Sequence, residues 1–282
     1  MRDCYVLNHF LGETNKGGLR WDLTEVRLLD VEESGSTIDD EQVGKPQFRY
    51  PWAHVPAFIE ARGIELVAAS DLSVDRLNDF SRRWGITVLY TDYLEMVAKE
   101  QSDIVSVTTQ AAERAEIIIS LAELGVRAIY TTKPMCRSLA EADMMIDTCR
   151  KNGVILAIAC HKNWIPWFLA CLESIREGKI GRFSSMVCNY GWSLSRGHSH
   201  TLALFRLFTD APAKWVFGHM NSDEAAEGDG DLSGMGMILY ENDIHGFLST
   251  GGRHTLRLGN RCGVNSPILK DHEVLNKLLL KN

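Results

Sequence analysis

Long apolar runs are missing from this chain: no stretch approaches the ~20 consecutive residues that a membrane-spanning helix needs. The opening residues, MRDCYVLNHFLGETNKGG, lack the architecture of a secretory signal, so the expectation is a soluble, cytoplasmic protein with no membrane partner. Basic clusters are missing too. With a formal net charge of −7, the chain is not expected to bind nucleic acid, which requires clustered Lys and Arg to displace counterions from phosphate. Paired cysteines are lacking: Cys4, Cys136, Cys149, Cys160, Cys171, Cys188 and Cys262 are odd in number and scattered without CxxC spacing. That excludes a disulfide framework and a zinc knuckle and leaves reduced thiols, most of them within apolar segments. Internal repeats are absent. The acidic SDEAAEGDGD lacks the ligand spacing of an EF-hand and reads as a solvated hairpin loop.

What is present is a regular rhythm. The 282 residues, 45% of them hydrophobic, suffice for one large domain or two ordinary ones. From residue 52, WAHVPAFIEARG reads as a helix with Val55, Phe58 and Ile59 on one face and Gly63 as its stop, followed by the apolar strand IELVAASD. SVDRLNDFSRRWG is a second helix with Ser73 as N-cap, then come the strand TVLY and the helix DYLEMVAKE. IVSVTT is a buried strand, followed by a helix over 112–124. VRAIYTT leads to a helix from Leu139 with Ser138 and Glu141 at capping-box spacing, and VILAIA adds one more strand. Strands alternating with helices predict a doubly wound α/β sheet over 51–165. Past Pro166, one helix leads into FSSMVCNYG, KWVFGHM, GMGMILYEN, IHGFLSTGG and HTLRLGN, which predict an α+β domain over 166–282 with an open, mainly antiparallel sheet. Residues 1–50 stand apart as an atypical segment in which EVRLLDV could be a strand, and the tail ILKDHEVLNKLLLKN could form a last helix.

In an open parallel sheet ligands bind beyond the carboxyl ends of the strands, and Lys133 stands there, in VRAIYTTKP, with Pro134 fixing the backbone behind it. A lysine so placed can exchange a proton or hydrogen bond with a substrate oxygen; a surface lysine at a strand-to-loop junction is the other reading. The stretches HVPAFIEARGIELVAASDLSVDRLNDFSRRWGI, YTDYLEMVAKEQSDIVSVTTQAAERAEIIISLAELGVRAIYTTKPMCRSLAEADMMIDTCRKNGV and ESIREGKIGRFSSMV resemble, in order and spacing over residues 52–190, the Gfo/Idh/MocA family of NAD(P)-dependent oxidoreductases.

The resemblance implies a Rossmann domain that holds a nicotinamide cofactor, plus an open sheet that lines a small-molecule substrate pocket and joins subunits into a homo-oligomer. It implies hydride transfer between the nicotinamide and a sugar, polyol or related hydroxy compound. TKP matches the family's Glu-Lys-Pro, so Lys133 takes the part of catalytic lysine and Pro134 that of a frequently cis proline, with Thr132 in place of the glutamate. Asp71 closes IELVAASD, where it would bond the adenosine ribose and favour NAD over NADP, with Arg76 nearby pulling the other way; an N-cap for the next helix is the structural reading. Thr108 and Thr109 stand where the family contacts the ribose and nicotinamide, while Gln110 replaces a frequent proline and Arg114 a frequent histidine or asparagine. His200 matches a histidine that would shuttle the hydroxyl proton, or is a capping or core histidine. Arg196 replaces an aspartate, and His198 and His200 lack a third metal ligand at credible spacing.

The resemblance breaks before His54. Counted back from it, the three glycines of the family's GxGxxG loop fall on Pro51, Phe48 and Pro46. Prolines remove amide donors and side chains block the pyrophosphate from the helix N-terminus, so the usual cradle does not form. Either the amino terminus is a divergent or mis-assembled segment, in which EVRLLDV could substitute for the first strand with an insertion containing Gly35 and Gly44 behind it, or cofactor binding is weak or absent, leaving a non-catalytic binding or oligomerising descendant.

Overall fold

The computed structural model describes residues 24–31, 35–43, 51–191, 194, 197–220, 233–251, 255–260 and 268–269. The chain divides into two compact units, Met1–Ala159 and Cys160–Asn282.

In the first unit, β1 (Thr24–Leu29), β2 (Ile64–Ser70), β3 (Val88–Tyr90), β4 (Ile104–Val107), β5 (Ala128–Thr131) and β6 (Ile155–Ile158) form one sheet in the order β3-β2-β1-β4-β5-β6. All its pairings are parallel. This is the doubly wound order of a Rossmann sheet. Its central strand, β1, comes from the first 50 residues, so EVRLLDV does supply the opening strand, and residues 30–53 form the connection to the first helix.

Alternation along the strands feeds two cores. Val26 and Leu28 of β1, Ile104 of β4 and Tyr130 of β5 pack with Val55 and Phe58 of helix α1 (His54–Glu60) and Leu77 and Phe80 of α2 (Val74–Trp84). On the opposite face Val105, Val107 and Ile129 meet Met96 of α3 (Tyr93–Glu100), Ile118 and Leu121 of α4 (Ala111–Glu123) and Met145 of α5 (Leu139–Lys151). Local chemistry sets the helix ends. Ser73 caps α2 through the Arg76 amide at 3.3 Å, and Ser138 and Glu141 form the expected capping box on α5. Ile59 departs from expectation: α1 is short and buries His54, Val55 and Phe58, which leaves Ile59 59% exposed on the flank.

The second unit holds α6 (Pro166–Arg176), β7 (Phe183–Asn189), α7 (His198–Thr209), β8 (Ala213–Met220), β9 (Gly234–Tyr240), β10 (His245–Ser249), β11 (Thr255–Asn260) and β12 (Ile268–Leu269). The strands order as β12-β11-β7-β10-β9-β8, antiparallel except for the β7–β10 pair. One face packs Met186, Cys188, Ile238, Leu248 and Leu256 against Leu204, Phe205 and Phe208 of α7. A Cβ on Gly246 would stand 2.7 Å from the Phe205 ring, so the helix approaches β10 only because that position has no side chain. The tail expected as a helix contributes the short strand β12; the rest of it, and the SDEAAEGDGD loop, lie outside the described residues.

Leu28 is fully buried at the centre of the first core. Leu28→Ala is expected to lower the unfolding free energy by about 2–5 kcal/mol, measured by urea denaturation. A loss below about 1 kcal/mol would remove β1 from the core.

Candidate active site

The crevice of such a sheet opens where strand order reverses, here between β1 and β4. The residue just past β1, Asp30, has a left-handed φ of 68°. The Thr108 hydroxyl lies 2.7 Å from both the Leu29 and the Asp30 carbonyl oxygens and donates to them, which ties the end of β4 to β1. The Thr109 hydroxyl, by contrast, is buried with no hydrogen-bond partner among the described residues. Beyond β5, the Thr132 amide donates to the Val107 carbonyl at 3.1 Å, and the chain then delivers the half-buried Lys133, joined to Pro134 by a cis peptide bond.

Arg114 binds these strand ends together. Helix α4 places it on the buried face with Ile118 and Leu121, and its Nη1 donates to the carbonyls of Thr132 (3.1 Å) and Pro134, and its Nη2 to that of Thr109. Burial pushes the guanidinium down to about 10, with Cys136 and Asp30 opposing, so it remains a cation at neutral pH. Burial first, and then the Arg114 charge, push His54 down to about 3. The neutral imidazole sets Nδ1 2.7 Å from the Ser106 hydroxyl and lies 4.7 Å from the Tyr130 ring. The periodicity of α4 could have revealed Arg114, because it shares the i, i+4, i+7 stripe of Ile118 and Leu121.

The N-terminus of α1 is already occupied. Asp39, in a 3-10 turn over Ile38–Gln42, accepts through Oδ1 from the amides of Trp52 (2.8 Å) and Ala53 (3.1 Å), and the Gly35 carbonyl accepts from Val55 at 2.9 Å. Burial pushes the Asp39 carboxyl up from its ordinary value, while the two amide bonds hold it down. Of the positions counted as lost glycines, Phe48 and Pro46 lie outside the described residues. Asp71 and Arg76 bond to each other: Oδ1 accepts from Arg76 Nη2 at 2.6 Å, Arg76 Nε at 2.9 Å and the Ser73 amide at 2.8 Å, and Oδ2 from the Val31 amide at 3.2 Å. The Asp71 side chain is only 1% exposed.

His200 belongs to the second unit. It is buried in the first turn of α7, its ring 4.5 Å from that of His161 in an edge-on arrangement. His198 contacts the Thr201 hydroxyl at 3.2 Å and the Ser249 carbonyl at 3.1 Å, a structural role. No metal-holding group of His, Cys, Asp or Glu occurs among the described residues, and Arg196 lies outside them.

Residues 49–160 match the model of an oxidoreductase family with an NAD-binding Rossmann fold, Gfo/Idh/MocA. D-apiose dehydrogenase of Paraburkholderia graminis is 34% identical over 128 residues, 45% of this chain and 34% of that enzyme. Myo-inositol 2-dehydrogenase of Thermotoga maritima is 28% identical over 117 residues, 42% of this chain and 35% of that enzyme. The match thus spans about a third of the length of these relatives. Among solved structures, myo-inositol 2-dehydrogenase from Lactobacillus plantarum shares the fold with a TM-score of 0.70 at 15% identity, covering 89% of this chain and 77% of that one. Scyllo-inositol dehydrogenase from Lactobacillus casei, solved with NAD(H) and scyllo-inositol, has a TM-score of 0.67 at 12% identity, covering 89% and 77%.

The Gfo/Idh/MocA family implies a dinucleotide, and this chain fits it at one end only. The unpartnered Thr109 hydroxyl and Lys133 beyond β5 suit the nicotinamide side. At the other end, the Asp39 carboxylate stands on the amides that would receive a phosphate, and Asp71 is buried under Arg76. In this arrangement the phosphates do not bind at the start of α1.

His54 yields a pH test. It titrates near 6.5 when unfolded and near 3 when folded, so the unfolded chain holds the extra proton between those values and stability falls as pH drops through that window. Urea midpoints of the wild type are expected to fall more steeply from pH 7 to pH 5 than those of His54→Gln. Equal slopes would contradict a neutral, buried ring.

Proposed function

We propose that the chain is an NAD(P)-dependent oxidoreductase acting on a hydroxyl-bearing carbon of a sugar, polyol or related hydroxy compound, with Lys133 moving the hydroxyl proton. The observation that carries this reading is a half-buried lysine at the carboxyl end of β5, beside the strand-reversal crevice, within the segment that matches the family. The nicotinamide, when bound, supplies the hydride chemistry. The chain's own part is to orient the substrate and manage its proton. The Lys133 amine accepts the proton that a hydroxyl loses on oxidation, and its ammonium returns one to a carbonyl oxygen on reduction. Thr108, Thr109, Thr132 and Pro134 shape the nicotinamide side, and His200, facing His161, is a second proton-handling group. Asp71 favours NAD over NADP by its charge, an effect that its bond to Arg76 reduces.

A second copy of this chain occupies the exposed sheet face of the second unit, giving a homo-oligomer. Opposite α7, that face carries Trp215, Phe217 (62% exposed), Met235 and Phe247. Phe217→Glu is expected to shift the protein to a smaller species in sedimentation; an unchanged mass would overturn this assembly.

A second reading is favoured by Asp39. A carboxylate seated on the α1 amides suits a descendant that no longer takes the cofactor and serves as a binding or oligomerising protein. Titration with NADH and NADPH, following nicotinamide fluorescence and melting temperature, separates the two. Saturable binding is expected, with turnover on a sugar or polyol that Lys133→Ala lowers by about 10²–10⁴-fold. No binding of either nucleotide at millimolar concentration would transfer the assignment to the second reading.

A further inference from the structure

We propose that Arg114 is the positioning residue for Lys133, its guanidinium fixing the backbone on both sides of the lysine and locking it to the end of β4. The inference rests on the reading of Lys133 as the proton-handling group. Its basis is the set of acceptors. The Thr132 and Pro134 carbonyls, which receive Nη1, belong to the residues immediately before and after Lys133, and the Thr109 carbonyl, which receives Nη2, lies just past β4. With both flanking carbonyls held, the backbone from which the lysine side chain departs is fixed on both sides.

Burial argues against an incidental role. Arg114 is only 2% exposed, on a helix face where Ile118 and Leu121 pack, and an apolar residue there would avoid the desolvation of a charge. The cost of that charge is offset by the three carbonyls it serves, with Asp30 and Cys136 also favouring the cation. The planar fork of arginine reaches acceptors in two directions at once, which the point charge of a lysine does not. Thr132 bears no charge, and what Arg114 holds is the backbone oxygen of the residue on either side of Lys133.

The test reads Lys133 directly, without turnover. Lysines of the full chain are reductively methylated with 13C, and Lys133→Arg identifies the resonance. In Arg114→Met, studied at a temperature where circular dichroism shows it folded, the Lys133 signal is expected to shift and sharpen, while those of Lys99 and Lys151 on exposed helix surfaces stay in place. Arg114→Lys is expected to restore the wild-type signal only in part. Should Arg114→Met not fold, Arg114→Gln, which keeps two amide hydrogens, is read in the same way. A Lys133 signal that stays in place in a folded variant overturns the inference. Activity gives a separate arm: Arg114→Gln is expected to lower kcat about 10- to 100-fold with little change in KM. If Lys133→Ala loses no turnover, the functional reading fails while the spectroscopic result still decides whether Arg114 positions the lysine.

Discussion

The pairing of β1 with β2 on one side and β4 on the other is the constraint on which the first unit depends. Without β1 the sheet would separate into β3-β2 and β4-β5-β6, each with an open edge. The strand ends that make up the site are tied to it in turn. Thr108 donates to its last carbonyls, the Asp30 amide donates to Ser70 at 2.9 Å, and the Val31 amide reaches Asp71. The crevice is thus a product of strand register, set by residues that lie far from one another in sequence.

Two charges then govern the rim. A helix start exposes amides that favour a negative group, and Asp39 provides one from within the chain. Strand ends expose carbonyls that favour a positive group, and Arg114 provides that. The chain therefore satisfies from its own side chains polar groups that a related fold can leave for a ligand. The two solutions differ in consequence: the anion satisfies the amides at the start of α1, whereas the cation holds the backbone that follows β4 and β5.

Much of this was legible in sequence because it is local or periodic. The alternation of apolar strands with capped helices was sufficient for the doubly wound sheet, and the Ser138 and Glu141 spacing for the start of α5. The resemblance placed Lys133 and Pro134 at a strand end, and the structure puts them just past β5. What escaped was non-local. Counting back from His54 assumed that a strand lies immediately before the helix, and residues 30–53 separate them. Asp39 carries no signal of its own, because an aspartate in a polar stretch meets the α1 amides only through the folding of the intervening chain. Asp71 and Arg76 were read as separate contacts with a cofactor, yet at five residues apart across a helix start they meet each other first.

The internal anion at α1 also bears on how the unit persists in a cell. Proteins that leave a helix end for a ligand gain stability in proportion to the logarithm of ligand concentration, so their folded population follows metabolite supply. Here the Trp52, Ala53 and Val55 amides are satisfied by Asp39 and Gly35 before any ligand arrives. The start of α1 is thereby held by the chain itself, and any stabilisation that a bound nucleotide brings comes from contacts elsewhere along the crevice.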